Sequence, residues 1–178
     1  MTGKNFTSTT LQLVRDFEGL KLSAYPDAAG YSIGYGSQTY ENGQKVKKGD
    51  TITQQRAEQL LAYHVNLAAN TVNKYVNVPL TQNQFDALTS FVYNVGGGNF
   101  LGSTLLKIIN QNANDFERIS AEFRRWVYSQ GVKLSALVDR REQEILVYVQ
   151  GTYQKKNFGW AVLAAAAVGT YLLTRKRK

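Results

Sequence analysis

Two carboxylates nine residues apart, Glu18 and Asp27, are the groups in this chain best placed to do chemistry. They bracket the run Phe17-Glu18-Gly19-Leu20-Lys21-Leu22-Ser23-Ala24-Tyr25-Pro26-Asp27, which continues as Gly30-Tyr31-Ser32-Ile33-Gly34-Tyr35-Gly36. Glu18 ends an amphipathic helical pattern and Asp27 falls in a turn, so a chain reversal brings both carboxylates to one place. Two carboxylates flanking a sugar–sugar bond are the usual equipment of glycoside hydrolysis: one protonates the leaving oxygen, the other activates water or stabilises positive charge on the sugar. An Asp near a Glu is ordinarily only a solvated pair. The glycines and tyrosines around this one set it apart.

Other chemistries have little to draw on. The chain has no cysteine and one histidine, so thiol nucleophiles, Cys-rich metal sites and His-pair motifs are excluded. His64 follows Leu60-Leu61-Ala62-Tyr63 on a predicted helix and reads as structural. Gly97-Gly98-Asn99-Phe100-Leu101-Gly102-Ser103-Thr104 has the glycine spacing of a phosphate loop, but Ser103 stands where the phosphate-binding Lys belongs, and a helix connection is the better reading. No cofactor and no metal are expected. The net charge of +8 is not a nucleic-acid signature once it is located. Residues 1–154 hold 15 Lys or Arg against 13 Asp or Glu, a net +2; the other +6 is Lys155, Lys156, Arg175, Lys176, Arg177 and Lys178.

The elements that must position the carboxylates follow from periodicity. A helix is predicted over 9–18, with Thr9 as its cap and Gln12 as the capping-box partner. Residues 22–50, rich in Gly, Tyr, Ser and Thr, suit short twisted strands and turns. Helical periodicity returns from Thr53 through Ala57, Leu60, Leu61, Val65 and Ala68. Pro79 breaks it, Thr81-Gln82-Asn83-Gln84 is a second capping box, and further helices read as 85–95, 103–110, 114–128 and 137–150. The fold class is α+β: a small β lobe followed by a larger helical lobe, with a cleft where they meet.

Beyond residue 154 the pattern changes. Phe158 to Thr174 is a run of 17 residues without a charge, closed by Arg175-Lys176-Arg177-Lys178. As a helix it would span about 26 Å, the lower limit for a bilayer core. It is apolar all round, basic at both ends, and carries Trp160 and Tyr171 near its ends as interfacial anchors. Residues 155–178 are therefore expected to form a transmembrane anchor. Ala161, Ala165 and Gly169 would line one face of it as a small-residue row. The N-terminus shows no signal-peptide pattern.

Three blocks of residues are similar to a known family. The Glu18–Gly36 stretch resembles the N-terminal motif of phage-type lysozymes and endolysins. Gln84-Phe85-Asp86-Ala87-Leu88-Thr89-Ser90-Phe91-Val92-Tyr93-Asn94-Val95-Gly96, continued by Gly102-Ser103-Thr104-Leu105-Leu106, resembles the family's central helical block. Phe123-Arg124-Arg125-Trp126 and Leu137-Val138-Asp139-Arg140-Arg141-Glu142-Gln143-Glu144 resemble its C-terminal signature. Together these blocks span residues 9–150. The resemblance implies a lysozyme-like two-lobed domain over 1–154 that cleaves the β-1,4 bond between N-acetylmuramic acid and N-acetylglucosamine in peptidoglycan. Glu18 would be the general acid, a role needing a carboxyl that keeps its proton near neutral pH. Asp27 would position the attacking water, with inversion at the anomeric carbon.

One position departs from the family pattern. Its Gly-x-x-Thr-Ile-Gly is here Gly30-Tyr31-Ser32-Ile33-Gly34, one residue shorter and with Ser for Thr. Ser32 keeps a hydroxyl that both donates and accepts but lacks the β-branch that restricts a rotamer; it is expected to hold the water. The His that often follows Gly-x-Gly is Ser37. Arg140 or Arg141 would pair with Glu18 or close the cleft, Asn94 and Gly96-Gly97-Gly98 would shape its floor, and Tyr31, Tyr35 and Tyr40 would stack on sugars or pack the strands.

The expectation is thus a membrane-anchored phage lysin acting when the phage enters or lyses a cell. Its partners would be peptidoglycan, a lipid bilayer through residues 158–174, and virion proteins, with no specific nucleic acid. The heavier C-terminal charge places that end inside and the lysozyme domain outside a virion or host membrane. A different class, a glycan-binding or structural virion protein that has lost activity at Ser32, is the alternative.

Overall fold

The computed structural model describes residues 3–27 and 30–153. The chain divides into two compact units: one comprises Met1–Val14 and Val65–Gln154, the other, among the described residues, Arg15–His64. The predicted anchor at 158–174 and its basic flanks lie outside the described residues. Among those described, no helix is long and apolar enough to cross a membrane.

Helix α1, Ser8–Glu18, starts one residue before the predicted cap, Thr9. Thr7 is the capping residue, its Oγ1 accepting from the Thr9 amide at 3.2 Å. The buried Asp86 then binds the cap itself. It accepts from the Thr7 amide at 2.8 Å, from Thr7 Oγ1 at 2.7 Å and from Thr10 Oγ1 at 2.7 Å. A carboxylate at the positive end of a helix is favoured by the orphan amides there.

In the Arg15–His64 unit, strands β1 (Lys21–Asp27) and β2 (Gly30–Gly34) form an antiparallel pair. The remainder of 22–50, expected as short strands and turns, is mostly turns, with isolated bridges from Thr39 to Lys45 and from Ser23 of β1 to Thr51. Ile33, Val46 and Leu60 make the small core, with Ala24, Tyr31, Tyr40 and Ile52 packed against it. Leu60 belongs to α2, Gln54–Tyr75, the longest helix described. His64 on α2 has Nε2 at 2.9 Å from the Thr39 carbonyl, a structural contact as its setting suggested.

The other unit is helical: α3 (Gln82–Val95), α4 (Gly97–Leu101), α5 (Thr104–Gln111), α6 (Phe116–Arg124) and α7 (Ser135–Gln150). The capping box at Thr81 and Gln84 is present in both directions. Ser103 caps α5, so the glycine-rich stretch is a helix connection. Helix α6 stops at Arg124 rather than continuing to 128. A short hairpin follows, β3 (Tyr128–Ser129) and β4 (Val132–Lys133), which helical periodicity had concealed. The core of this unit centres on Phe91, whose ring meets Phe100, Phe123 and Trp126 edge-on at 6.3, 5.0 and 5.5 Å. Edge-to-face pairs of this kind add about 0.5–1.5 kcal/mol each to the burial of their area.

Candidate active site

Glu18 is the last residue of α1, and Gly19 ends the helix with a φ of 68°. The chain passes at once into β1, turns after Asp27 and returns as β2. The register pairs Asp27 with Gly30, Pro26 with Tyr31, and Tyr25 with Ser32. Alternation along β1 puts Tyr25 and Asp27 on one face, and cross-strand pairing adds Ser32 to that face.

A tight turn closes the site from the far end of β2. Ile33 and Ser37 exchange both backbone hydrogen bonds at 2.9 Å around Gly34-Tyr35-Gly36. Gly36 has a φ of 86°, and a Cβ there would stand 3.3 Å from Glu18 Oε2. Only glycine lets this backbone lie so close to the carboxylate without strain.

Asp27 is exposed, and its Oδ2 accepts two hydrogen bonds: from Ser32 Oγ at 2.7 Å and from Gln38 Nε2 at 3.3 Å. Ser32 is 0% exposed. Its hydroxyl donates to Asp27 and so links the two residues. Gln38 was missed in the sequence because its approach depends on the turn at 33–37. Tyr25 was missed as well. Its phenol is half-buried. Its pKa is pushed up to about 12, first by burial and then by the two carboxylate charges, with Ser32 opposing. It is therefore a neutral hydrogen-bond donor at any working pH. The Lys21 ammonium sits 4.4 Å from the centre of its ring.

Of the candidate sugar-stacking tyrosines, Tyr35 is buried while Tyr31 and Tyr40 are partly exposed. Tyr35 is 6% exposed and donates to Glu58 Oε1 at 2.8 Å, while Arg15 grips the same carboxylate. The ring is buried and its hydroxyl is engaged by Glu58. Tyr31 packs beside Ile33 and Leu60, and Tyr40 donates to Asp50 at 2.9 Å.

Asn94, Arg140 and Arg141 belong to the helical unit. Arg141 is 0% and Arg140 2% exposed, which suits holding structure in place better than touching a glycan. Both converge on Glu144, Arg140 Nε at 3.2 Å from Oε1 and Arg141 Nε at 2.9 Å from Oε2. Ser90 Oγ donates to the same carboxylate at 2.8 Å, and Arg141 Nη2 donates to Asn94 Oδ1 at 2.9 Å. The Arg141 guanidinium also lies 4.9 Å from the centre of the Phe91 ring. No group of three or more potential metal-binding side chains occurs among the described residues.

The Phage lysozyme family profile matches residues 15–144. An endolysin of Bacillus phage PZA is 42% identical over 145 residues, 80% of this chain and 54% of that protein. The chain thus spans about half the length of the Bacillus phage endolysins it matches. It covers 90% of an endolysin from Acyrthosiphon pisum secondary endosymbiont phage 1, at 39% identity over 139 residues. Among solved structures, an endolysin from Escherichia coli O157:H7 phage FAHEc1 superposes with a TM-score of 0.76 at 36% identity. It covers 85% of this chain and 98% of that one. The architecture is accordingly a lysozyme-like α+β fold. With a profile match over most of its length, the chain belongs to the phage lysozyme family.

Proposed function

We propose that this protein is a peptidoglycan hydrolase that cleaves the β-1,4 bond between N-acetylmuramic acid and N-acetylglucosamine by acid–base catalysis. The observation that carries the reading is the placing of Glu18 at the end of α1 against the Gly34-Tyr35-Gly36 turn that follows β2, while Ser32 on β2 holds Asp27 at 2.7 Å. Family membership supports it. Glu18 gives its proton to the leaving glycosidic oxygen. Asp27, exposed and fixed in orientation by Ser32 and Gln38, takes a proton from the attacking water and stabilises the positive charge that develops on the sugar. Attack opposite to the leaving group gives an inverted product, which proton NMR of the first-formed anomer reads directly.

Retention of the Ser32–Asp27 bond at 2.7 Å supports an active enzyme over a glycan-binding relic. Clearance of purified peptidoglycan by the full-length chain, with Glu18→Gln alongside, tests this. The expected loss is about 10²–10⁴-fold. A Glu18→Gln protein that clears walls as fast as wild type removes Glu18 from the mechanism.

The same reading assigns residues 1–154 to the catalytic domain and 155–178 to a bilayer anchor. The protein is then a phage lysin held on a virion or host membrane, its catalytic domain outside. The uncharged run from Phe158 to Thr174 with basic ends supports the anchor. Deleting residues 155–178 should release the protein from membrane fractions; unchanged sedimentation with membranes rejects the anchor.

A further inference from the structure

We propose that Glu58 is a positioning residue for Glu18: its carboxylate ties the last turn of α1, through Arg15, to the Gly34-Tyr35-Gly36 turn, through Tyr35, and so fixes the backbone that lies against the Glu18 carboxyl. This deepens the hydrolase reading and rests on it for its catalytic meaning. All of these residues belong to the Arg15–His64 unit.

Glu58 stands near the start of α2 and accepts from two elements at once. Arg15 donates to its Oε2 from Nε at 3.1 Å and from Nη2 at 2.5 Å, and Tyr35 donates its phenolic proton to Oε1 at 2.8 Å. A guanidinium fork on a carboxylate is directional as well as strong. Burial, and then the bond to Glu58, push the Tyr35 phenol above its ordinary pKa. The Arg15 hydrogen bond holds the Glu58 carboxyl below its own. Donor and acceptor therefore keep these roles at neutral pH.

Both partners lead to Glu18. Arg15 precedes it by three residues on α1, a spacing that puts two side chains on one face of a helix. The Gly19 amide donates to the Arg15 carbonyl at 3.1 Å and closes that last turn. Tyr35 lies between two glycines that face different ways. A Cβ on Gly34 would stand 3.4 Å from the Ala57 Cβ on α2, and one on Gly36 would stand 3.3 Å from Glu18 Oε2. The turn is thus seated on α2 at Ala57 and Glu58 and lies against the acid on its other side. Backbone this close to a carboxyl limits where its oxygens can go, so a turn that drifts from α2 lets the acid drift too. A misplacement of about 1 Å at a reacting group can cost about 10²-fold in rate.

The test is a double-mutant cycle of Tyr35→Phe and Glu58→Ala in the full-length protein in detergent, read in two ways. The side-chain carboxyl carbon resonance of Glu18, followed by NMR at one pH, reports its surroundings without any hydrolysis. It should move in either single variant, and Tyr35→Phe should move it no further once Glu58 is Ala, while the Glu142 resonance stays in place. On soluble peptidoglycan fragments, Glu58→Ala should lower kcat about tenfold with KM unchanged. Tyr35→Phe should lower kcat less, and the two losses should not add, because both act through one carboxylate. A Glu18 resonance that stays put in Tyr35→Phe overturns the proposal, as do equal shifts in both backgrounds or a loss carried by KM. If the wild type cleaves no glycan the hydrolase reading falls, and the resonance cycle still decides whether Glu58 holds Glu18 in position.

Discussion

Asp27 and Glu144 are both carboxylates gripped by a serine hydroxyl and nitrogen donors, yet they sit in opposite environments. Asp27 is exposed on a two-stranded hairpin, with Ser32 and Gln38 both on Oδ2. Glu144 is 0% exposed, and Ser90, Arg140 and Arg141 take up both of its oxygens. Asp27, proposed to meet water and sugar, is oriented from one side and left open to solvent. A carboxylate that organises a helix pair is enclosed by donors, because an under-satisfied buried charge costs several kcal/mol. Under the proposed mechanism the same chemical group is a reagent in one setting and a fastening in the other.

That contrast predicts opposite consequences of neutralising each group. Asp27→Asn should reduce wall clearance by about 10²–10³-fold while the thermal midpoint barely moves. Glu144→Ala leaves two buried guanidinium groups without their shared carboxylate and should destabilise the fold by about 3–5 kcal/mol, measured by urea unfolding. If Asp27→Asn unfolds the protein, or Glu144→Ala leaves stability intact, the contrast is broken.

Asp86 extends the comparison to a third carboxylate, buried like Glu144 but assigned to a helix start. It takes three hydrogen bonds from Thr7 and Thr10, and α1 is the helix that ends in Glu18. Asp86→Ala should cost about 1–3 kcal/mol of stability. Amide hydrogen exchange should be raised most in the first turn of α1. Exchange raised uniformly along the chain would deny Asp86 its specific role as a cap.

How much of this could be read in the sequence depends on distance along the chain. Glu18, Asp27 and Ser32 lie within fifteen residues of one another, and their types and spacing suggested the chemistry proposed for them. The Thr81–Gln84 capping box is equally local and was legible in full. Tyr25 was passed over because a tyrosine on a strand ordinarily packs, and its proximity to both carboxylates exists only once β1 pairs with β2. That Ser32 is fully buried could not be read from its hydroxyl alone. The true cap of α1 was misplaced for a related reason: Asp86, 79 residues from Thr7, draws the helix start back from Thr9. The β3–β4 hairpin was hidden because Trp126, Val127 and Tyr128 continue a helical apolar pattern past the point where α6 ends.

The smallest expected effect concerns Glu58, a carboxylate intermediate between the two extremes. Its side chain is 32% exposed. The hydrogen-bonded Arg15 guanidinium holds it below its ordinary pKa against the opposing effect of burial, with Tyr35 assisting. A carboxyl whose pKa is depressed by folding stabilises the native state fully above its unfolded value, about 4.3. That contribution disappears as the pH falls through the lower folded value. Because the pair is partly solvated, it is worth roughly 0.2–1 kcal/mol. Glu58→Gln should therefore lower the melting temperature slightly at neutral pH, and wild type and variant should converge as the pH drops below about 4. A gap that persists undiminished into stronger acid would mean that Glu58 acts through its shape and its bond to Tyr35, not through its charge. Glu58 would then belong with the packing of the small unit rather than with its electrostatics.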